Sequence, residues 1–159
     1  MAKVKTTGLT ELLSELERLN ANTDEILEDV VIAGASVTTD TMRAEIKKLK
    51  TTDEYGIKKK MRYANPKDVK GLLDSLGYTP TQTRVSKINS NVGFDGYNSN
   101  KTKNYPNGHA NRMIANAINK GTSFMHAQPF INRTRRKAND KCIDEMQKEL
   151  DREIKKFIK

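Results

Sequence analysis

Between Asn22 and Lys50 the sequence carries one long helical signal. Ile26, Leu27, Val30, Val31, Gly34, Val37, Thr41, Met42, Ile46 and Leu49 recur at the spacing that puts them on one helix face, because a helix turns once every 3.6 residues. The centre, VVIAGASV, is built from small residues, so this helix is expected to lie close against a sheet or a second helix. Asn22 stands at its start as an N-cap, with Glu25 three residues later completing a capping box.

The elements on either side follow from the same reading. Leu9, Leu12, Leu13, Leu16 and Leu19 predict an amphipathic first helix, with Glu11, Glu15, Glu17 and Arg18 on its other face. Residues 51–70 are polar and basic, with Pro66 after Asn65, and read as a connector. From Leu72 short apolar stretches mix with threonines and turn residues, which predicts strands near Leu72–Tyr78, Thr83–Lys87 and Asn91–Phe94. A surface loop closes at the Asn107-Gly108 turn. In ANRMIANAINKG, Met113, Ile114, Ala117 and Ile118 face one way and Gly121 stops the helix. Pro129 then opens a last helix, since proline is tolerated in a first turn. Its expected buried stripe is Phe130, Ala138, Cys142, Ile143, Met146, Leu150, Ile154, Phe157 and Ile158, with Asp144–Lys148 and Asp151–Lys155 as exposed i,i+4 pairs.

The fold class expected is α+β: long N-terminal helices and a C-terminal helix packed on a small antiparallel β-sheet. One domain covers 1–159. It divides into N-terminal helices (1–50), connector (51–70), β region (71–96), loop (97–109), and a helix, Gly-Thr-Ser turn and C-terminal helix (110–159).

A chain of 159 residues supports a modest core. No run approaches the roughly 20 apolar residues of a membrane span. The start, MAKVKTTGLTELL, has no apolar signal-peptide core, so the expected site of synthesis is the cytoplasm. The single cysteine, Cys142, excludes an internal disulfide and a cysteine-built metal site. The net charge of +9 is unevenly spread: acids crowd the first 45 residues, and bases crowd KKLK, KKKMR and RTRRK. Such basic clusters suit phosphates or acidic protein surfaces, or stay solvated.

The stretch NKGTSFMHAQPF, Asn119 to Phe130, has the look of chemistry: a lysine beside a glycine, two hydroxyls and a histidine. A phosphate-binding P-loop needs its lysine after a glycine-rich turn that follows a strand. Here Lys120 precedes Gly121 and a helix comes before. Ser123 lacks the second glycine of a nucleophile elbow, and His126 is only three residues away. Cys142 falls on an apolar stripe, where a free thiol acts as a small hydrophobe. Two histidines without metal-ligand spacing make no zinc site. The reading assigns no catalytic, cofactor-binding or metal residue, and the chain is expected not to be an enzyme. Arg133, Arg136 and Lys137 share a face of the last helix suited to phosphate contact, yet the aromatics, 6% of the chain, are not interleaved with them. A small basic nucleic-acid-binding protein therefore stays open as the alternative function.

Taken in order, these segments resemble a known family. The residues that carry the likeness are Gly71–Leu73 before the sheet, the Gly121–Ser123 turn, and Ala127–Phe130 ahead of the closing helix. They are similar to the tail-completion, or head–tail joining, family of long-tailed phages and prophages. The match runs through nearly the whole chain, and Gly121–Phe130 is its most specific piece. The chain departs from the pattern in having AINKG where many members carry an aromatic and an acid, and in a long loop at Gly96–His109.

The resemblance implies a structural virion morphogenesis protein at the phage neck or tail end, assembled in the host cytoplasm, with no cofactor and no membrane. It implies copies in a ring, hexameric in the family, beside neck neighbours such as a tail terminator or a head-completion stopper, with DNA in the channel. Gly121, Thr122, Ser123, Pro129 and Phe130 are then a structural joint. Gly121 stops one helix, Thr122 and Ser123 satisfy the turn, and Pro129 and Phe130 start and anchor the next. Lys58, Lys59, Lys60, Arg62, Arg133, Arg135, Arg136 and Lys137 are the bases expected to face a partner or DNA. The connector and the loop 98–109 are expected to serve as docking arms that order on assembly.

Overall fold

The computed structural model of the chain describes residues 9–52, 62–84, 87–99, 101 and 103–157. Helix α1 (Leu9–Ala21) leads into α2 (Thr23–Ile46), and α3 (Pro66–Ser75) follows. Four short strands come next: β1 (Leu76–Tyr78), β2 (Gln82–Arg84), β3 (Lys87–Asn89) and β4 (Val92–Phe94). Helices α4 (Asn111–Lys120) and α5 (Phe130–Phe157) complete the α+β fold.

The spine is the antiparallel pair α2 and α5. Glu45 near the end of α2 meets Arg133 and Lys137 near the start of α5, and Gly34 meets Cys142 and Met146 further along. A Cβ added at Gly34 would lie 2.8 Å from Met146 Sδ and 2.9 Å from Cys142 Sγ. The small-residue centre of α2 therefore allows a close approach of helix to helix. Asn22 does not form the expected capping box. Its backbone, at φ −106° and ψ 8°, is not the extended conformation an N-cap needs. Its Nδ2 instead donates to Arg18 O at 2.7 Å, which finishes α1.

Helix α3 replaces the end of the expected connector and most of the expected strand at Leu72–Tyr78. Asn65 Oδ1 accepts from Lys67 N–H at 2.8 Å, and Pro66 supplies a first-turn residue with no N–H to satisfy. Val69 and Leu72 then fall on one helical face, and both are buried, as is Leu76 at the start of β1. Only 76–78 remains as strand.

The strands form two antiparallel pairs, β1 with β4 (Leu76 opposite Phe94) and β2 with β3 (Gln82 opposite Asn89). The second pair is nested inside the first, as in one long hairpin interrupted around Pro80. Thr79 bridges the interruption: its N–H donates to Asn91 O, and its Oγ1 accepts from Asn91 N–H.

The core sits at the C-terminal end of α2. Met42, Ile46 and Leu49 meet Leu72, Leu76, Ala115, Ile118 and Phe130. Fully buried side chains such as Ile46, Leu72, Ile118 and Phe130 each contribute roughly 1.5–3 kcal/mol by leaving water.

On α5 the buried positions are Phe130, Thr134, Ala138 and Glu153, with Cys142, Met146, Leu150 and Ile154 partly covered. Ile143, expected inside, is 57% exposed, because it stands one residue off the stripe that continues through Cys142 and Met146. The side chain of Phe157, and Ile158, lie outside the described residues. The ion pairs on this helix also differ from the expected Asp144–Lys148 and Asp151–Lys155. Glu145–Lys148, Glu149–Arg152 and Glu153–Lys156 pair at i,i+3.

Candidate functional site

The joint is built from the backbone outward. Gly121 ends α4 at φ +76°, donating its N–H to Ala117 O at 2.8 Å. A Cβ there would lie 2.9 Å from both Ala127 N and Met125 O, so the left-handed backbone and the lack of space both call for glycine. Thr122 and Met125 close the turn with reciprocal backbone hydrogen bonds of 3.0 and 3.3 Å. Thr122 Oγ1 accepts from Phe124 N–H at 3.4 Å, whereas Ser123 is exposed. The Pro129 carbonyl accepts the first helical hydrogen bond of α5, from Arg133 N–H at 3.2 Å. Phe130 is fully buried and meets Phe94 edge to face, with ring centres 6.2 Å apart.

Three further contacts lock the joint, and sequence reasoning missed all of them. Gln128 Oε1 accepts from Lys50 N–H at 2.8 Å while Nε2 donates to Lys50 O at 2.9 Å. Asn119 Oδ1 accepts from Ile131 N–H at 3.1 Å, satisfying a donor of the first turn of α5 from the previous helix. Arg62 N–H donates to Phe124 O at 3.1 Å, and His126 N–H donates to Arg62 O at 2.9 Å, so the turn pairs with a segment sixty residues earlier. No periodicity marks Gln128 or Asn119. The one local sign is a polar side chain within two residues of Gly121 or Pro129.

Glu45 is the main electrostatic feature. Its carboxylate is 2% exposed and accepts from Lys137 Nζ at 2.7 Å, Lys48 Nζ at 3.0 Å and Arg133 Nε at 3.0 Å. The Lys137 hydrogen bond, followed by that of Lys48, draws its pKa from 4.5 to about 2; burial opposes the shift, and Arg133 adds to the lowering. Glu153 is buried too, and its carboxyl lies below the usual range, chiefly through its hydrogen bond from Lys156.

The expected basic surface is thus divided. Arg133 and Lys137 turn toward α2 and are engaged by Glu45, because positions four apart on α5 share the face that meets α2. Arg135 and Arg136 are exposed. The Arg62 guanidinium lies over the Phe124 ring at 5.4 Å. Lys58, Lys59 and Lys60 lie outside the described residues.

Cys142 and the two histidines lie against neighbouring side chains. Cys142 Sγ lies 3.5 Å from Gly34 O and 3.7 Å from Met146 Sδ, within the helix–helix contact. His126 stacks on Tyr63 with ring centres 4.9 Å apart, and His109 on Tyr105 at 4.1 Å. Among the described residues, no group of three or more His, Cys, Asp or Glu could hold a metal ion, and no helix is long and apolar enough to cross a membrane. A groove of about 680 Å³ runs between α3 and the loop 95–99, with Lys67, Lys70, Asp74 and Asp95 among its walls. Asn111 also lines it; its Nδ2 donates to Asp95 O at 2.8 Å and its buried Oδ1 has no hydrogen-bond partner among the described residues.

No protein-family model, curated protein or solved structure matches the chain.

Proposed function

We propose that the protein is a structural subunit of a long-tailed phage neck or tail end, which completes the tail or joins it to the head as one copy in a ring. The carrying observation is the construction of Gly121–Phe130, the segment on which the family resemblance chiefly rests. Two of its polar side chains are used on backbone hydrogen bonds, Thr122 within the turn and Gln128 on Lys50, with Asn119 behind them on Ile131. Phe130 fixes the start of α5 in the core. A subunit of this kind works through complementary surface and does no chemistry, so it needs its helices held in a fixed relation. The test is electron microscopy of lysates from a phage or prophage whose copy of this gene is interrupted by a stop codon. Separate DNA-filled heads and tails, or tails with defective ends, are the expected result; normal infectious particles overturn the reading.

One observation favours the second reading, a small basic nucleic-acid-binding protein. Bases and aromatics distant in sequence interleave in space: Arg62 over Phe124 at 5.4 Å, Lys50 over Tyr63 at 5.7 Å, and His126 against Tyr63. Such a platform suits a single strand, whose bases stack while lysine and arginine meet phosphates. Oligonucleotide binding that weakens steeply between low and moderate salt would support it.

A further inference from the structure

Among the described residues, an acidic region on α1 and the start of α2 and a basic region at 111–141 lie too far apart to neutralise each other. On α1 and the first turns of α2, Glu15, Glu17, Asp24, Glu25, Glu28 and Asp29 are accompanied on those helices by one base, Arg18, and none of them forms an ion pair among the described residues. In the segment 111–141, Glu45 engages Arg133 and Lys137, while Arg112, Lys120, Arg135 and Arg136 are exposed and form no ion pair among the described residues; Asp140 is the segment's one acid, beside Lys141. At a rise of 1.5 Å per residue, Asp24–Asp29 lie roughly 24–32 Å along α2 from Glu45, beside which Arg133 sits. No side chain spans that distance. Each surface also holds large apolar side chains in water: Leu13, Leu16 and Leu27 at 50%, 52% and 40% exposure among the acids, and Met113 and Phe124 at 57% and 54% in the basic segment.

We infer that these surfaces dock on each other between copies, the acidic, leucine-bearing face of one chain against the basic face of the next. The inference rests on the reading of the chain as an assembling subunit, and it names the contact that builds the assembly. Charge complementarity selects the occupant, since the surface that matches each face is on the same chain. Acid on acid and base on base repel, so two copies do not pair like with like. The contact is head to tail, leaving one free face of each kind until the series of copies closes. The apolar side chains supply the burial that holds the contact, and the charges steer it and fix its register.

Sedimentation velocity of the full chain tests this. The parent is expected to self-associate at low salt, with affinity falling about tenfold or more as screening increases from about 0.05 to about 0.5 M salt. Glu17→Lys, Glu25→Lys, Glu28→Lys and Asp29→Lys together make both faces basic, and Arg112→Glu, Lys120→Glu, Arg135→Glu and Arg136→Glu together make both faces acidic. Each variant alone is expected to be monomeric, with the parent's circular dichroism spectrum and melting temperature. Mixed in equal amounts they are expected to assemble, because every contact is again opposite in sign. A parent that stays monomeric, self-association unchanged in either variant, or a mixture that stays dissociated overturns the inference. Salt-sensitive binding of a DNA duplex to the parent's basic face, without self-association, assigns that face to nucleic acid and also overturns it. If either reversed variant supports infectious particles in a phage that needs the gene, the docking fails while the neck reading stands. If assembly follows the charges but the interrupted gene leaves particles normal, the neck reading fails and the docking stands.

Discussion

One side-chain amide, that of Gln128, satisfies both backbone groups of Lys50, accepting from its N–H at 2.8 Å and donating to its carbonyl at 2.9 Å. The residue just before Pro129 thereby pins the chain just beyond α2 to the start of α5. Gln128→Ala removes both hydrogen bonds and opens a gap at a buried position. The expected cost is about 1–3 kcal/mol, seen as a lower urea midpoint with an unchanged slope. An unchanged midpoint would show that water replaces the amide and that the clamp adds no stability.

Phe130 fills the core at the other side of the same joint. It is fully exposed to water only when the chain unfolds, and it meets Phe94 edge-on. Phe130→Ala is expected to destabilise the subunit by roughly 3–5 kcal/mol, through lost burial plus the cavity left behind. A variant with the parent's thermal stability would remove Phe130 as the anchor of α5.

Glu45 gives the fold an acid dependence with a defined window. Its pKa is held at about 2 against an ordinary 4.5, with the Lys137 hydrogen bond as the largest cause. A carboxylate whose folded pKa is depressed contributes stability that is fully present above the unfolded value. That stability is lost as pH falls through the folded value. Denaturation profiles are therefore expected to lose stability between about pH 4.5 and pH 2. In Glu45→Gln this slope is expected to be shallower, with lower stability at neutral pH because Arg133 and Lys137 lose their charged partner. Parallel profiles for parent and variant would show that other carboxylates carry the acid response.

The long helices were legible in the sequence because their signals are periodic and dense. The ten apolar and small positions of Asn22–Lys50 needed no tertiary context, and neither did the Gly121 stop, whose φ of +76° is a local requirement. Helix α3 was hidden because Leu72, Leu73 and Leu76 fit a short strand as readily as a helix, and only the cap at Asn65 decides between them. Glu45 was illegible for a different reason. A lone acid on a helix face is ordinarily solvated, and its burial depends on Arg133 and Lys137 arriving from 88 and 92 residues away. The same long-range contact changed the meaning of RTRRK, which looks like one basic patch in the sequence and is divided between an internal ion-pair cluster and an outward face.

Gly121→Ala tests the joint at its tightest point. The new Cβ would meet Ala127 N and Met125 O at 2.9 Å, and these are backbone atoms that move only with the turn. Strain of about 1–3 kcal/mol is expected, together with faster amide exchange at Thr122 and Met125. Parent-like exchange there would mean that the turn tolerates a side chain.

Gly34 and Met146 offer the converse case, a close contact with a side chain that can yield. A Cβ at Gly34 would lie 2.8 Å from Met146 Sδ. Alanine favours a helix over glycine by about 1 kcal/mol, but overpacking a helix contact costs about 1–3 kcal/mol. Gly34→Ala alone is therefore expected to be destabilising by up to about 2 kcal/mol, the difference between these two terms. Combined with Met146→Ala it is expected to be better tolerated than in the parent background, because the shortened side chain vacates the space. A double-mutant cycle in urea measures the coupling, expected at roughly 0.5–3 kcal/mol for residues in contact. Additive effects would place the packing of α2 on α5 elsewhere than at Gly34.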